Sequence, residues 1–243
     1  MKESPLHHFE LHPIVHLNFM GIDISLNKAI FVMWAALAIV FILFLLVRKA
    51  DGRLVPTKMQ SIAEMLLLFL RGLVDDFIGK EERKFFPFVA ALFFFILSCN
   101  MIGLVPGSYT ITSQIVVTGT FAIIIFIMTL FIGFGRHGLR FFGILLPSGI
   151  PKILIPLMIP IEIISMLARP FSLAVRLFAN MTAGHTVLAV LFGMSLALPW
   201  FIGFLPFGFT VLINVLELMV AFIQAYIFTT LACFYIGDVI KMH

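Results

Sequence analysis

Apolar residues fall along this chain in runs too long for a soluble core, broken by a few compact polar blocks. Residues 29–47, AIFVMWAALAIVFILFLLV, carry no charge and suffice to cross a hydrocarbon layer about 30 Å thick. Residues 57–84 differ in kind. Ile62, Met65, Leu66, Phe69, Leu73 and Phe77 fall on one broad helical face, while Lys58, Glu64, Arg71 and Asp75 fall mainly elsewhere. That pattern predicts an amphipathic helix lying at a membrane surface. Residues 85–105 and 114–134 read as two spans, a hairpin over 85–134 closed by the uncharged turn PGSYTITS. Residues 152–193 hold no convincing loop. A helix over most of that stretch is on the order of 60 Å long at 1.5 Å per residue, about twice the hydrocarbon thickness. It must be strongly tilted or fold into a tight re-entrant pair. An uncharged turn region at 194–208 and a second long apolar stretch at 209–236 follow, so that residues 152–240 form a helix pair.

Composition agrees with the pattern. Of 243 residues, 62% are hydrophobic and 12% charged, and mean hydropathy is +1.15. Soluble domains are nearer 45–50% apolar and about 25% charged. The expected fold class is therefore an all-α polytopic membrane protein, with one membrane domain over 1–243. Its solvent over most of the chain is the lipid bilayer. Net charge is +4, and the basic residues form no stripe suited to nucleic acid. Their placement is more informative. Arg48, Lys49 and Arg53 follow the first run, and Arg136, Arg140 and Lys152 follow the third, whereas both turns on the other side lack Lys and Arg. The positive-inside rule puts the N-terminal segment, 1–28, outside and the C-terminus inside. MKESPLHHFELHPIVHL lacks the apolar region of a signal peptide and the Arg-rich character of a transit peptide.

Several motifs carry no chemistry on this reading. His8, His12 and His16 recur every four residues, but Pro13 interrupts the helix that would align them on a metal. Cys99 and Cys233 lie far apart in apolar runs and read as packing residues. The glycines of GFGRHG, 133–138, follow a membrane run rather than a strand, so they end a helix instead of cradling phosphate. The sequon NMT at 180–182 lies at membrane depth. No metal or cofactor site is expected, and there is no P-loop.

What remains is a set of polar side chains inside the two long runs. Glu162, Arg169, Arg176, Asn180 and His185 lie in the first; Asn214, Glu217 and Gln224 lie in the second, with Tyr226 and Tyr235 nearby. A charge at the bilayer centre costs about 2.5 kcal/mol or more, so such groups pair or line a pathway. At about 100° per residue, Glu162, Arg169, Arg176 and Asn180 share a face and His185 points away. Glu217, Gln224 and Tyr235 share a face of the second helix. Antiparallel packing would allow a His185–Glu217 contact and a Gln224–Arg176 contact. Arg keeps its charge and can bind and release a carboxylate, while His and Glu can relay protons. The arrangement suggests ion entry and exit routes kept apart by Arg176, with Arg169 either a structural charge or snorkelling to the interface.

RPFSLAVRLFANMTAGH and ELMVAFIQAYIFTTLACFYI resemble the hallmark segments of subunit a of the F-type ATP synthase. The resemblance extends along the chain. It implies a stator subunit whose last two helices lie tilted against a ring of c subunits, with peripheral-stalk b subunits as further partners and the F1 sector coupled indirectly. It implies two half-channels that load and unload the ring's carboxylates and couple ion flow to rotation and ATP synthesis. Arg176 would match the family's essential arginine, Asn180 and Gln224 its polar neighbours at the rotor, Glu162 a half-channel carboxylate, His185 and Glu217 a coupled pair, and Tyr235 an aromatic position of less certain role. Many bacterial members carry Glu and His exchanged at 185 and 217, and mitochondrial-type members share the order found here. The implied location is the bacterial inner membrane, with the mitochondrial inner membrane as the alternative. The chain would be a non-catalytic ion-translocating subunit. The competing reading is a free-standing ion-coupled secondary transporter with a buried Arg site, against which the missing inverted repeat counts. H⁺ against Na⁺ stays open.

Overall fold

The computed structural model describes residues 13–15, 18–19, 22–23, 26–49, 58–105, 114–138, 141 and 155–241. The turn PGSYTITS, the N-terminal histidines, Arg53, Arg140 and Lys152 lie outside the described residues. Six α-helices make up most of the described chain. The all-α expectation needs one addition at the N-terminal segment, where four short strands form nested antiparallel ladders. β1 (Pro13–Val15) pairs with β4 (Leu26–Asn27), and β2 (Asn18–Phe19) pairs with β3 (Ile22–Asp23). These ladders are two or three residues long, too short for an alternating pattern to stand out in the sequence.

α1 (Lys28–Lys49) carries the first apolar run. It docks on its neighbours through the small side of Ala36 and Val40, and Phe44 meets Phe94 edge to face at 5.9 Å. Phe31, Trp34, Phe41 and Ile42 stay exposed, as a helix solvated by lipid requires.

α2 (Lys58–Phe77) forms a helix over the stretch with the amphipathic pattern. Leu70, Leu73 and Val74 are buried, but Ile62, Met65 and Phe69 are exposed. The apolar band is wider than the surface the bundle covers, so periodicity alone could not separate packed positions from open ones. The helix closes at Gly79, whose φ of +119° lies where a side chain would strain the backbone. A 3₁₀ turn (Lys80–Phe85) then leads into α3 (Phe86–Gly103). α3 is the most enclosed helix, burying Val89, Ala90, Phe93, Phe94, Ile96, Leu97, Cys99 and Asn100.

α4 (Ile115–His137) ends at Gly138, with φ +54° and its N–H bonded to the Phe134 carbonyl. This is the helix-ending role expected for GFGRHG. α5 (Ile155–Ala197) and α6 (Trp200–Ile240) have 43 and 41 residues, about 65 and 62 Å at 1.5 Å per residue. The expected turn region at 194–208 shrinks to Leu198 and Pro199, and Pro206 lies inside α6. Pro199 caps α6 from outside the helix, where its missing N–H costs nothing. The register is antiparallel. The position a Cβ would take on Gly203 abuts the Ser195 carbonyl, that on Gly184 abuts the Glu217 carboxylate, and Asn180 bonds Gln224.

Among the described residues, four segments are long and apolar enough to cross a membrane: Lys80–Gly103, Ile115–His137, Ala174–Ala197 and Phe201–Ile240. One core joins all six helices, including Val40, Leu70, Phe93, Ile125, Leu177 and Phe228. The ion-paired charges among the described residues collect at one end of it. Arg83 donates two hydrogen bonds to Asp75, at 2.9 and 2.8 Å. Glu82 pairs with Arg136 and, at 3.2 Å, with Lys84. The His137 Nε2–H donates to the Val239 carbonyl at 3.0 Å. The α2 turn, the end of α4 and the end of α6 are thereby held together.

Candidate functional site

α5 packs through Ala174, Leu177 and Met181, a spacing of three and four that leaves the next stripe round the helix open. Arg176 and Asn180 stand on that open side among Ser172, Ala179 and Ala183, all exposed. Small neighbours leave the guanidinium proud of the helix surface. No hydrogen bond or ion pair joins Arg176 to another described residue.

Behind this stripe α6 turns Glu217 and Gln224 inward, with 6% and 1% of their surface exposed. Seven residues apart, they occupy the one face predicted for them. Asn180 Nδ2 donates to Gln224 Oε1 at 3.2 Å. The expected Gln224–Arg176 contact is thus replaced by Gln224–Asn180, because the register sets Gln224 opposite Asn180, one turn beyond Arg176. Glu217 lies against Gly184, whose missing side chain makes the room its carboxyl group fills. Neither carboxyl oxygen of Glu217 has a hydrogen-bond partner among the described residues. His185, half-buried on the next residue, is brought to the level of Glu217. Tyr235 is half-buried against Phe234, ring centroids 5.9 Å apart. It lies eleven residues beyond Gln224, about 16 Å along the helix, and so is not gathered into the cluster. Glu162 lies fourteen residues before Arg176 on α5, about 21 Å along the axis; the side chains of Glu162 and Arg169 lie outside the described residues.

Comparison with known proteins decides the family. The family model for the ATP synthase A chain matches residues 30–237. The chain belongs to the ATP synthase A chain family. It is 47% identical over 245 aligned positions to ATP synthase subunit a of Magnetococcus marinus, covering 100% of this chain and 95% of that one. It is 43% identical to the Rhodospirillum rubrum subunit a over 99% of both chains, and 41% identical to that of Pelagibacter ubique over 100% of both. Both segments that carried the resemblance lie within the matched region.

Two further residues of this ATP synthase A chain family member belong with the cluster. Gly184 decides where the Glu217 carboxyl group sits. Asn100 of α3 is fully buried and donates from Nδ2 to the Ala221 carbonyl of α6 at 3.2 Å. Periodicity flags neither, since a glycine leaves no polar mark and a lone amide in a Phe-rich run makes no pattern. A faint signal existed for Asn100, the one amide in the largely apolar stretch FFFILSCNMIGL.

Proposed function

We propose that this chain is the ion-channel subunit of a rotary ATP synthase, with Arg176 facing the carboxylates of a c-subunit ring. The carrying observation is the guanidinium displayed on an open helix stripe of small residues, backed by the Asn180–Gln224 bond. A permanent cation among apolar surfaces calls for an anion, and an exposed Arg176 can meet one on another subunit. As a ring carboxyl group reaches Arg176 it gives its proton to the aqueous path on one side, and the carboxylate is held by the guanidinium. Moving on, it takes a proton from the other path. Arg176 cannot release its own proton, so it blocks a direct leak between the two half-channels.

His185 and Glu217 are the titratable groups of one access route, and Glu162 is a carboxylate of a half-channel. Asn180 and Gln224 steady the rotor face; Tyr235 is an outlying aromatic of the same helix. α5 and α6 lie tilted in the bilayer, α2 lies along its inner surface, and the N-terminus is outside. Peripheral-stalk b subunits are further partners, and the membrane is a bacterial inner membrane. The chain contributes ion translocation and no phosphoryl transfer. The test is Arg176→Ala in the assembled complex. Coupled ATP synthesis should be lost while the subunit still co-purifies with a ring of small subunits. Normal synthesis by that variant, or purification as a self-sufficient transporter, would refute the reading.

A further inference from the structure

Beside the Arg176 stripe lies a buried amide that none of the roles above uses. Asn100 Nδ2 donates to the Ala221 carbonyl at 3.2 Å, and this bond fixes which way the amide points, because reversing it would set two carbonyl oxygens against each other. Asn100 Oδ1 is therefore an acceptor with no choice of orientation. It is buried and has no partner among the described residues. Gln224, three residues beyond Ala221 and so on the same side of α6, has the complementary orphan. Its Oε1 accepts from Asn180, while its Nε2 is buried and likewise without a partner. An acceptor whose amide is bonded to Ala221 of α6 and a donor three residues further along that helix are each costly if left alone and inexpensive if bridged.

Resting on the reading above, we infer that Asn100 is a positioning residue for the rotor face, holding a buried water between its Oδ1 and Gln224 Nε2. The Asn180–Gln224 pair could form with either amide donating. With Asn100 Oδ1 waiting on the inside, only the orientation with Gln224 Nε2 turned inward satisfies both buried groups. Gln224 must then show its oxygen to Asn180, and Asn180 must donate. The Asn180 oxygen is left as an acceptor on the open stripe, one turn from Arg176. A residue on α3 thus sets the polarity of the amide that neighbours the guanidinium, without touching the stripe.

The experiment measures ATP-driven proton flow by the assembled synthase in sealed vesicles, as a double-mutant cycle. Asn100→Leu keeps the volume and removes both amide groups. It should slow flow about tenfold, as should Gln224→Leu, and the double variant should be no slower than the worse single. A merely structural Asn100 would give losses that multiply, and that outcome, or full flow in Asn100→Leu, overturns the inference. Cys99→Ala, which alters the neighbouring residue on the side facing α1, should leave flow unchanged; an equal loss there would also overturn it. If Asn100→Leu fails to assemble, Asn100→Ser is carried through the same cycle under the same criteria. An Arg176→Ala arm separates the two ideas. Normal coupling in that arm refutes the channel reading, whereas lost coupling beside a silent Asn100→Leu refutes only the bridge.

Discussion

Gly184 and Gly237 are both closely approached, one by a side chain and the other by backbone, and that difference predicts different failures. At Gly184 an added Cβ would meet the end of the Glu217 side chain, which can swing aside. Gly184→Ala should therefore assemble with an unchanged thermal midpoint yet displace the carboxyl group, slowing proton flow on the order of tenfold. Gly193→Ala, on the same helix with nothing within 4 Å of the added carbon, should leave flow unchanged. Fluorescence-quench measurements on vesicles of both variants check this; equal flow in the two would detach Gly184 from the pathway. The charged and amide residues of the cluster were legible in the sequence because Arg176, Glu217 and Gln224 interrupt runs of Leu, Ile and Phe. Their pairing was not. Helical spacing gives the face of each residue but not the register between helices, and a single turn of register exchanges Arg176 for Asn180 as the partner of Gln224.

At the scale of elements, the ends of α2, α4 and α6 are fastened by backbone contact and surface charge. An added Cβ on Gly237 would run into the Phe77 carbonyl and the Ile78 backbone, which cannot rotate away. Gly237→Ala should cost about 1–3 kcal/mol, seen as a lowered thermal midpoint of the purified complex; an unchanged midpoint would show that α6 is not pinned there. Asp75 lies on α2, outside the spanning segments, and its hydrogen bonds from Arg83 hold its carboxyl group below the ordinary 3.8. A depressed folded-state pKa contributes stability above the ordinary carboxylate range and loses it as pH falls through the lowered value. The difference in thermal midpoint between the native chain and Asp75→Asn should therefore be present at neutral pH and vanish in acid, as pH-dependent melting would show. The helices themselves were legible from their apolar runs. The Leu198–Pro199 turn was not, because uncharged apolar residues lie on both sides of it and composition does not change where the chain reverses. Which residues of the apolar face of α2 are buried was not legible for a related reason: lipid accepts the apolar residues that protein leaves uncovered.

For the whole molecule, charge divides the bundle into two unlike ends. Asp75, Glu82, Arg83, Lys84 and Arg136 are joined by ion pairs at one end, where Lys241 also reaches the Asp76 carbonyl at 3.5 Å. The α5–α6 turn at the other end is Leu198 and Pro199. Folding thus brings the basic residues of three separate segments to one end, which strengthens the orientation argument made from loops one at a time. The charged end should face the cytoplasm and the α5–α6 turn the opposite side. Lys241→Cys and Leu198→Cys report on the two ends, since both native residues are exposed and the native Cys99 and Cys233 are buried. A membrane-impermeant maleimide should label Lys241→Cys in inside-out vesicles and Leu198→Cys in right-side-out ones. Labelling of both from one side would mean that α6 does not cross, and with it the two-sided access that Arg176 is proposed to separate would fall.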